Sequence, residues 1–406
     1  MAATGPRPVR VLFLSHGGGL YGAQQMLLDV VTMVDRHLVA PVLATKPGSP
    51  LARACPPDVT LVDAGVLNHW VPIGSQVGAQ GRMRYAAGAT MGLLKGVRHL
   101  RQIIRQQRID LVYSNTVTVV EGALAARAEG LPHVWHIHEP VRGNDELRPL
   151  LPWPMYRALI DRLADRIVVP AKTLLPEYRL SRTSVEVIYN GTRIPTLPDR
   201  AEQRQRVAGL LGIEPGAPIV GTVGALHPRK DHPTFLRAAA QLAQRMPRAR
   251  FIICGRGAPA RFAELSGLAA ALGIEPAVHL VNDWPGAIHD LLAALDVLVV
   301  SSVQESFGLT AVEALAVQTP VVATRCGGPE ETIQQGATGL LVPVGDPEAM
   351  AAAVGWLLVN PTQAQAMGAA GRVDVAARFG LRRYAAEIEQ VILEAAAPRG
   401  QKYVRQ

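Results

Sequence analysis

Short apolar runs rich in valine and isoleucine alternate with longer stretches of helical periodicity along all 406 residues. Strands that read as unbroken apolar runs are buried on both faces, so this alternation predicts βαβ units and parallel sheets. Two series can be read. The first has strands at 9–15, 40–45, 59–63, 110–115, 133–138 and 166–170. The second opens at 218–224 and continues at 250–255, 277–281, 296–302, 319–324 and 338–342. Between them, Pro195 and Pro198 followed by charges mark a linker at 193–205. The expected fold is α/β, with two Rossmann-like, doubly wound parallel-sheet domains over 1–195 and 196–380. From about Asp346 the chain reads as three Ala-rich helices, the last at 381–397.

Composition narrows the class. With 49% hydrophobic and 18% charged residues the chain is too apolar for disorder, and its length calls for two cores. The net charge of +8 is one-sided: residues 1–200 hold 23 Lys/Arg against 15 Asp/Glu, while residues 201–406 hold 18 of each. Cys55, Cys254 and Cys326 are too few and too scattered for a disulfide framework or a thiolate zinc site, which fits a reducing cytoplasm. The start reads as a strand entering a glycine loop rather than a signal peptide. The longest uncharged stretch, 64–81, is broken by Asn68, His69, Pro72 and Ser75, so no membrane span is expected. Aromatics are only 5% and are not interleaved with basic residues, which disfavours nucleic acid as a partner.

In doubly wound sheets, ligands meet the loops that follow the strands. The most informative such loop follows the strand at 296–302. It carries Glu305, and Ser306-Phe307-Gly308-Leu309 then opens a helix containing Glu313. Amides at Phe307, Gly308 and Leu309 would face out of the helix start, where the macrodipole favours an anion such as a diphosphate. Gly308 would let that anion approach the backbone. Two carboxylates flanking the turn can accept paired hydrogen bonds from vicinal hydroxyls of a sugar or a ribose. For isolated glutamates a solvated loop or helix surface is the commoner explanation. Here Glu313 lies in an otherwise uncharged helix, which weakens that explanation.

The arrangement Glu305-SFGLTAV-Glu313, followed by TPVVAT and Gly327-Gly328, resembles glycosyltransferase family 4, the retaining GT-B enzymes that use nucleotide-sugar donors. Further matching pieces are HGGGLYGAQ, WHIHEP, ADRIVV, VIYNGT, VGALHPRKD and IICGRG, in order along most of the chain. The resemblance implies a GT-B architecture of two domains facing a cleft. The second binds the donor, the first presents the acceptor, and the helix at 381–406 returns to the first. It implies that Glu305 meets hydroxyls of the transferred sugar, Glu313 the ribose, and Lys230 the donor diphosphate. For a lone lysine beside Asp231 a surface cation is the plainer explanation. Two departures stand out: Ala225 replaces a common arginine, for which Arg229 is a possible substitute, and Gln24 replaces a common glutamate.

Gly17-Gly18-Gly19-Leu20-Tyr21-Gly22 also satisfies G-x-G-x-x-G after a strand, the dinucleotide fingerprint. A nicotinamide enzyme would want a carboxylate ending the second strand, and Ala44-Thr45-Lys46 offers none. The resemblance instead gives Gly18 and Gly19 to a loop over the sugar diphosphate or acceptor. His136 and His138 share one face of their strand. With no further ligand nearby, metal binding ranks below a hydrogen-bonded core histidine, and the resemblance points His138 at the donor sugar. His16, at another strand end, is a weaker candidate. Arg98, Arg101, Arg105 and Arg108 recur at helical spacing, as a solvated face or as a contact for an anionic surface.

The function so implied is a hexosyltransferase, metal-independent and without a cofactor, the nucleotide-sugar being a co-substrate. It would move a sugar from a UDP- or GDP-sugar to a glycan or lipid-linked acceptor in cell-envelope polysaccharide or glycolipid synthesis, in the cytoplasm or peripherally at the inner membrane face. The rivals are an NAD-dependent oxidoreductase using Gly17 to Gly22 and a sugar-nucleotide binding protein without turnover.

Overall fold

The computed structural model describes residues 7–15, 17, 19–20, 22–65, 67, 79–142, 147 and 151–397, and for residues 79–87 and 89 only the backbone. Gly18 and His16 lie outside the described residues. The apolar runs of the first series become β1 (Val9–Leu14), β2 (Val39–Thr45), β3 (Thr60–Asp63), β4 (Leu111–Ser114), β5 (His133–His136) and β6 (Arg166–Val169). A further strand, β7 (Ser184–Val187), closes the sheet at one edge, giving the order β3-β2-β1-β4-β5-β6-β7. The sequence pattern did not mark β7, because SVEV is short, half-exposed and carries Glu186.

The second series becomes β8 (Ile219–Val223), β9 (Arg250–Cys254), β10 (Val278–Val281), β11 (Val297–Val300), β12 (Val321–Thr324) and β13 (Leu340–Val342). Their order is β10-β9-β8-β11-β12-β13. All pairings in both sheets are parallel. Helices connect the strands, and fully buried residues such as Leu12, Val112 and Trp135 in one sheet and Val220, Phe251 and Val299 in the other fill the cores. The fold is therefore two Rossmann-like α/β domains.

One compact unit is formed by Met1–Gly191 with Arg382–Gln406, the other by Thr192–Leu381. The chain thus returns to the first unit through the helix Leu381–Ala396, which buries Tyr384, Ile388, Val391 and Ile392. Its Glu389 carboxylate accepts from the Asp35 amide at 2.7 Å, and Arg383 donates to the Tyr189 carbonyl at 2.5 Å. In each sheet the strand order reverses beside the first strand, between β1 and β4 and between β8 and β11. These switch points open a crevice at the strand ends, and both groups of chemically active side chains lie there.

Among the described residues no helix is long and apolar enough to cross a membrane. The expected basic face is only partly present. Its helix ends at Gln106, so Arg108 falls beyond it with a left-handed φ of 49°. Arg101 and Arg105 both bind Glu129, at 2.6 and 2.9 Å.

Candidate functional site

The second unit's site grows from the ends of β8 and β11. After β8, Gly224 turns at φ 151°, and a short 3-10 turn, Pro228–Lys230, leads to Asp231 at φ 45°. Asp231 caps the helix His232–Arg245 by accepting from the Thr234 amide and, at 2.7 Å, from the Thr234 hydroxyl. That carboxylate is therefore occupied, and Lys230 turns elsewhere. Its Nζ lies 2.5 Å from Glu305 Oε1. The plain reading of Lys230 as a surface cation beside Asp231 is replaced by a pair linking residues 75 positions apart.

The backbone holds both partners. Val303 N donates to the Arg229 carbonyl at 2.8 Å and Ser301 Oγ to the Lys230 carbonyl at 2.7 Å. Ser302 Oγ donates to Glu305 Oε1 at 2.7 Å, and Thr324 Oγ1 donates to the Ser302 carbonyl at 2.5 Å. Glu305 itself is bridged to the next loop, its amide donating to Cys326 O at 3.0 Å and its carbonyl accepting from Gly328 N at 2.8 Å. A Cβ at Gly328 would sit 2.4 Å from the backbone of Phe307, so only glycine permits this approach.

Electrostatics follow. Burial alone would raise the Glu305 pKa, but the Lys230 ammonium, the Ser302 hydroxyl and the Arg229 charge together hold it below the usual carboxylate range. Both of these bonds end on Oε1, and no described side chain engages the other oxygen. Lysine has three donors, and Glu305 takes one.

Gly308, in the left-handed region at φ 85°, is the N-cap of the helix Leu309–Ala316. Among the described residues no protein acceptor meets the amides of Gly308 and Leu309. The Phe307 ring is 3% exposed and packs edge-on against Phe379 with centroids 5.4 Å apart. Phe307 is thus anchored by its side chain, which faces the core rather than a ligand. Glu313 is half-buried in the middle of that helix, between buried Val312 and Ala314. Arg229 is half-buried and Ala225 exposed.

The first unit presents a different set of groups. After β5, His138 Nε2 lies 2.9 Å from Asn115 Oδ1, and Asn115 Nδ2 donates to the Ala23 carbonyl at 2.7 Å. Asn115, which the sequence reading did not single out, extends β4; a polar residue ending a buried strand beside the switch point is the signal that could have found it. His136 is fully buried and shares a 2.7 Å hydrogen bond with the Tyr113 hydroxyl. Its ring lies 3.9 Å from that of His138. Burial, with the neighbouring His138 charge, holds the His136 pKa well below the ordinary value. Among the described residues no group of three or more metal-capable side chains comes together. Gly19 is half-buried in the loop after β1. Among the described residues, an added Cβ at Gly17 would meet only Gln24, at 3.6 Å, and one at Gly22 nothing within 4 Å.

Comparison with known proteins gives these groups a context. The family described as "Glycosyl transferases group 1" matches residues 204–374, and "Glycosyltransferase Family 4" matches residues 68–194. The D-inositol 3-phosphate glycosyltransferase of Thermobispora bispora is 32% identical over 329 residues, 76% of this chain and 76% of that protein. The enzyme of the same name from Streptosporangium roseum is 31% identical over 76% of this chain and 75% of its own. The crystal structure of Anabaena HepE in complex with UDP-glucose superposes with a TM-score of 0.76 at 20% identity, covering 95% of this chain and 99% of that one. Sucrose-phosphate synthase from Thermosynechococcus elongatus follows with a TM-score of 0.73 at 20% identity, covering 95% and 98%.

Proposed function

The chain belongs to glycosyltransferase family 4 and is a glycosyltransferase, and from that premise we propose that it moves a hexose from a nucleotide-diphosphate sugar, with retention at the anomeric carbon. UDP is the favoured nucleotide, because the similar HepE structure carries UDP-glucose; GDP is the alternative. The single observation that carries the reading is the Lys230–Glu305 pair set beside the amides of Gly308 and Leu309.

Glycosyl transfer needs the charge growing on the leaving diphosphate to be stabilised where it develops. The remaining donors of Lys230, the Arg229 charge and the helix-start amides supply that without a metal ion. The second oxygen of Glu305 is placed to accept bonds from sugar hydroxyls while Oε1 holds the lysine in position. Glu313, deeper in the helix, takes the ribose hydroxyls. His138 meets the sugar from the first unit, with its Nε2 held by Asn115. Gly18 and Gly19 cover the diphosphate or the acceptor; the latitude at Gly17 and Gly22 supports a loop whose glycines serve close approach rather than packing.

The acceptor we favour is a glycan or a lipid-linked sugar of the cell envelope, met in the cytoplasm at the inner face of the membrane. The excess positive charge of residues 1–200 supports that location, with Arg98 the member of the basic face that no acidic residue among the described ones engages. A phosphorylated cyclitol is a second acceptor reading, favoured by the names of the relatives.

A thermal-shift screen against UDP, GDP and their sugars tests the donor, since a ligand present at 100 times its Kd adds about 2.7 kcal/mol to stability. A shift with UDP-sugars and release of UDP in the presence of an acceptor is the expected outcome. Binding of NAD with no response to either nucleotide would refute the donor assignment, and nucleotide binding without turnover on any acceptor would leave a binding protein. Co-sedimentation with anionic but not neutral vesicles, lost at high salt, is expected for the membrane contact.

A further inference from the structure

We propose that Ser302, just past the end of β11, is a positioning residue: its buried hydroxyl shares Glu305 Oε1 with Lys230 and so holds the carboxylate in the pose from which its other oxygen meets the substrate. The proposal deepens the reading of Glu305 given above and rests on it for its catalytic consequence, though not for the geometry.

The need for a third group follows from the nature of the pair. Lys230 and Glu305 stand on different strand-end loops, and each reaches the other through several rotatable bonds. Two long side chains that meet at one point do not fix each other, since both can swing while the contact holds. Ser302 differs in kind. Its hydroxyl hangs on a single side-chain carbon, and its backbone is itself held, the Ser302 carbonyl accepting from Thr324 Oγ1 on the neighbouring strand at 2.5 Å. Ser302 and Thr324 are both buried. This short arm donates at 2.7 Å to the oxygen that the lysine ammonium meets at 2.5 Å, so Oε1 receives two donors from two loops. The Glu305 backbone is bridged to Cys326 and Gly328, so the root of the side chain and one of its tips are both tied.

The sequence at this strand end supports the assignment. Val297–Val300 is apolar throughout, and Ser301 and Ser302 follow as two buried hydroxyls in succession. Alanine at either position would bury no polar group at all. Each serine instead meets one half of the same ion pair: Ser301 Oγ donates to the Lys230 carbonyl at 2.7 Å, and Ser302 Oγ to the Glu305 carboxylate. A hydroxyl has one proton to give, and Ser302 gives it to Glu305.

That bond also favours the ionised carboxylate. The charged and titratable groups that face Glu305 are Lys230 and Arg229, from the loop after β8, and Cys326, from the loop after β12, whose thiol is pushed up to about 12 by burial and so stays uncharged. Losing the Ser302 hydroxyl removes one donor to the ionised form, which moves the Glu305 pKa upward.

The test uses the full-length protein with 13C-labelled glutamate carboxyls, the Glu305 signal being assigned by its loss in Glu305→Gln. That signal should titrate at higher pH in Ser302→Ala than in wild type, while Ser302→Thr, which keeps the hydroxyl, should stay closer to wild type. Turnover of the nucleotide-sugar should fall about tenfold in kcat in Ser302→Ala, the low end for one hydrogen bond to a charged group, with the donor KM changing less than about twofold. A double-mutant cycle separates positioning from packing: in a Glu305→Ala background, Ser302→Ala should cost less than about twofold more, because it acts through the carboxylate. An unchanged Glu305 titration in folded Ser302→Ala, or the same tenfold loss repeated in the Glu305→Ala background, would overturn the proposal. Ser302→Cys, similar in size and a weak donor, serves the same purpose if Ser302→Ala does not fold. Wild-type activity in Glu305→Ala would instead remove the catalytic reading of Glu305, leaving the positioning to be judged by the carboxyl titration alone.

Discussion

The two units share one topology at their switch points yet furnish them with opposite chemistry. The second unit sets a cation against a carboxylate whose pKa is depressed, beside a helix start rich in amides. The first places imidazoles, an amide and a phenol in a largely buried, hydrogen-bonded cluster. A repeated fold therefore says little about which ligand a crevice takes; the side chains at the strand ends decide. Charge suits an ionic leaving group, and hydrogen-bonding imidazole, amide and phenol groups suit hydroxyls.

Removing the cation should break this contrast most severely. Lys230→Ala should lower kcat by about 10²–10³, the range seen when an electrostatic stabiliser is lost, with turnover of the nucleotide-sugar as the measurement. Activity within about threefold of wild type would mean that the pair is structural only. Next in size, Glu313→Ala should weaken nucleotide binding by roughly 1.5–3 kcal/mol in calorimetric titration, while Glu305→Ala acts mainly on turnover. Equal affinity for the nucleotide in wild type and Glu313→Ala would remove the ribose assignment.

The buried histidines of the first unit can be probed through pH. Burial lowers the pKa of His133, which bonds Ser114 behind the same sheet, from 6.5 to about 3. The unfolded chain binds the proton that the folded one refuses, so the stability from neutral His133 is complete above pH 6.5. It is lost as pH falls toward 3, by about 1.4 kcal/mol per pH unit. His133→Asn should flatten denaturation midpoints between pH 6.5 and 5, and an unchanged slope would contradict this account. The smallest expected effect is none: EDTA should leave turnover unaltered, and loss restored by a divalent cation would show that the Lys230 cluster is not the whole electrostatic machinery.

How much of this was legible in the sequence depended on whether the signal was local. Twelve of the thirteen strands announced themselves as apolar runs, and β7 did not because an edge strand with Glu186 has no buried face to advertise. The turn at Gly308 was visible from glycine before an apolar helix. The Lys230–Glu305 bond was not, since nothing in spacing joins residues on different strand-end loops. Phe307 looked like part of a ligand-binding turn, but its ring serves the core. Arg101 and Arg105 formed a plausible basic face until Glu129, from the following helix, met both. Asn115 passed unnoticed because its importance lies in orienting a histidine 23 positions away.

The return of the helix Leu381–Ala396 to the first unit also bears on the order of events at the ribosome. A domain whose sequence is contiguous can complete its core as soon as it emerges, at about 5–20 residues per second. Here Met1–Gly191 must wait with the sites for Tyr384 and Ile388 unfilled while the whole of Thr192–Leu381 is synthesised. The unit made second is therefore the first to finish. For roughly 10 to 40 seconds, by that rate, the earlier half exposes an apolar groove matched to a helix not yet made.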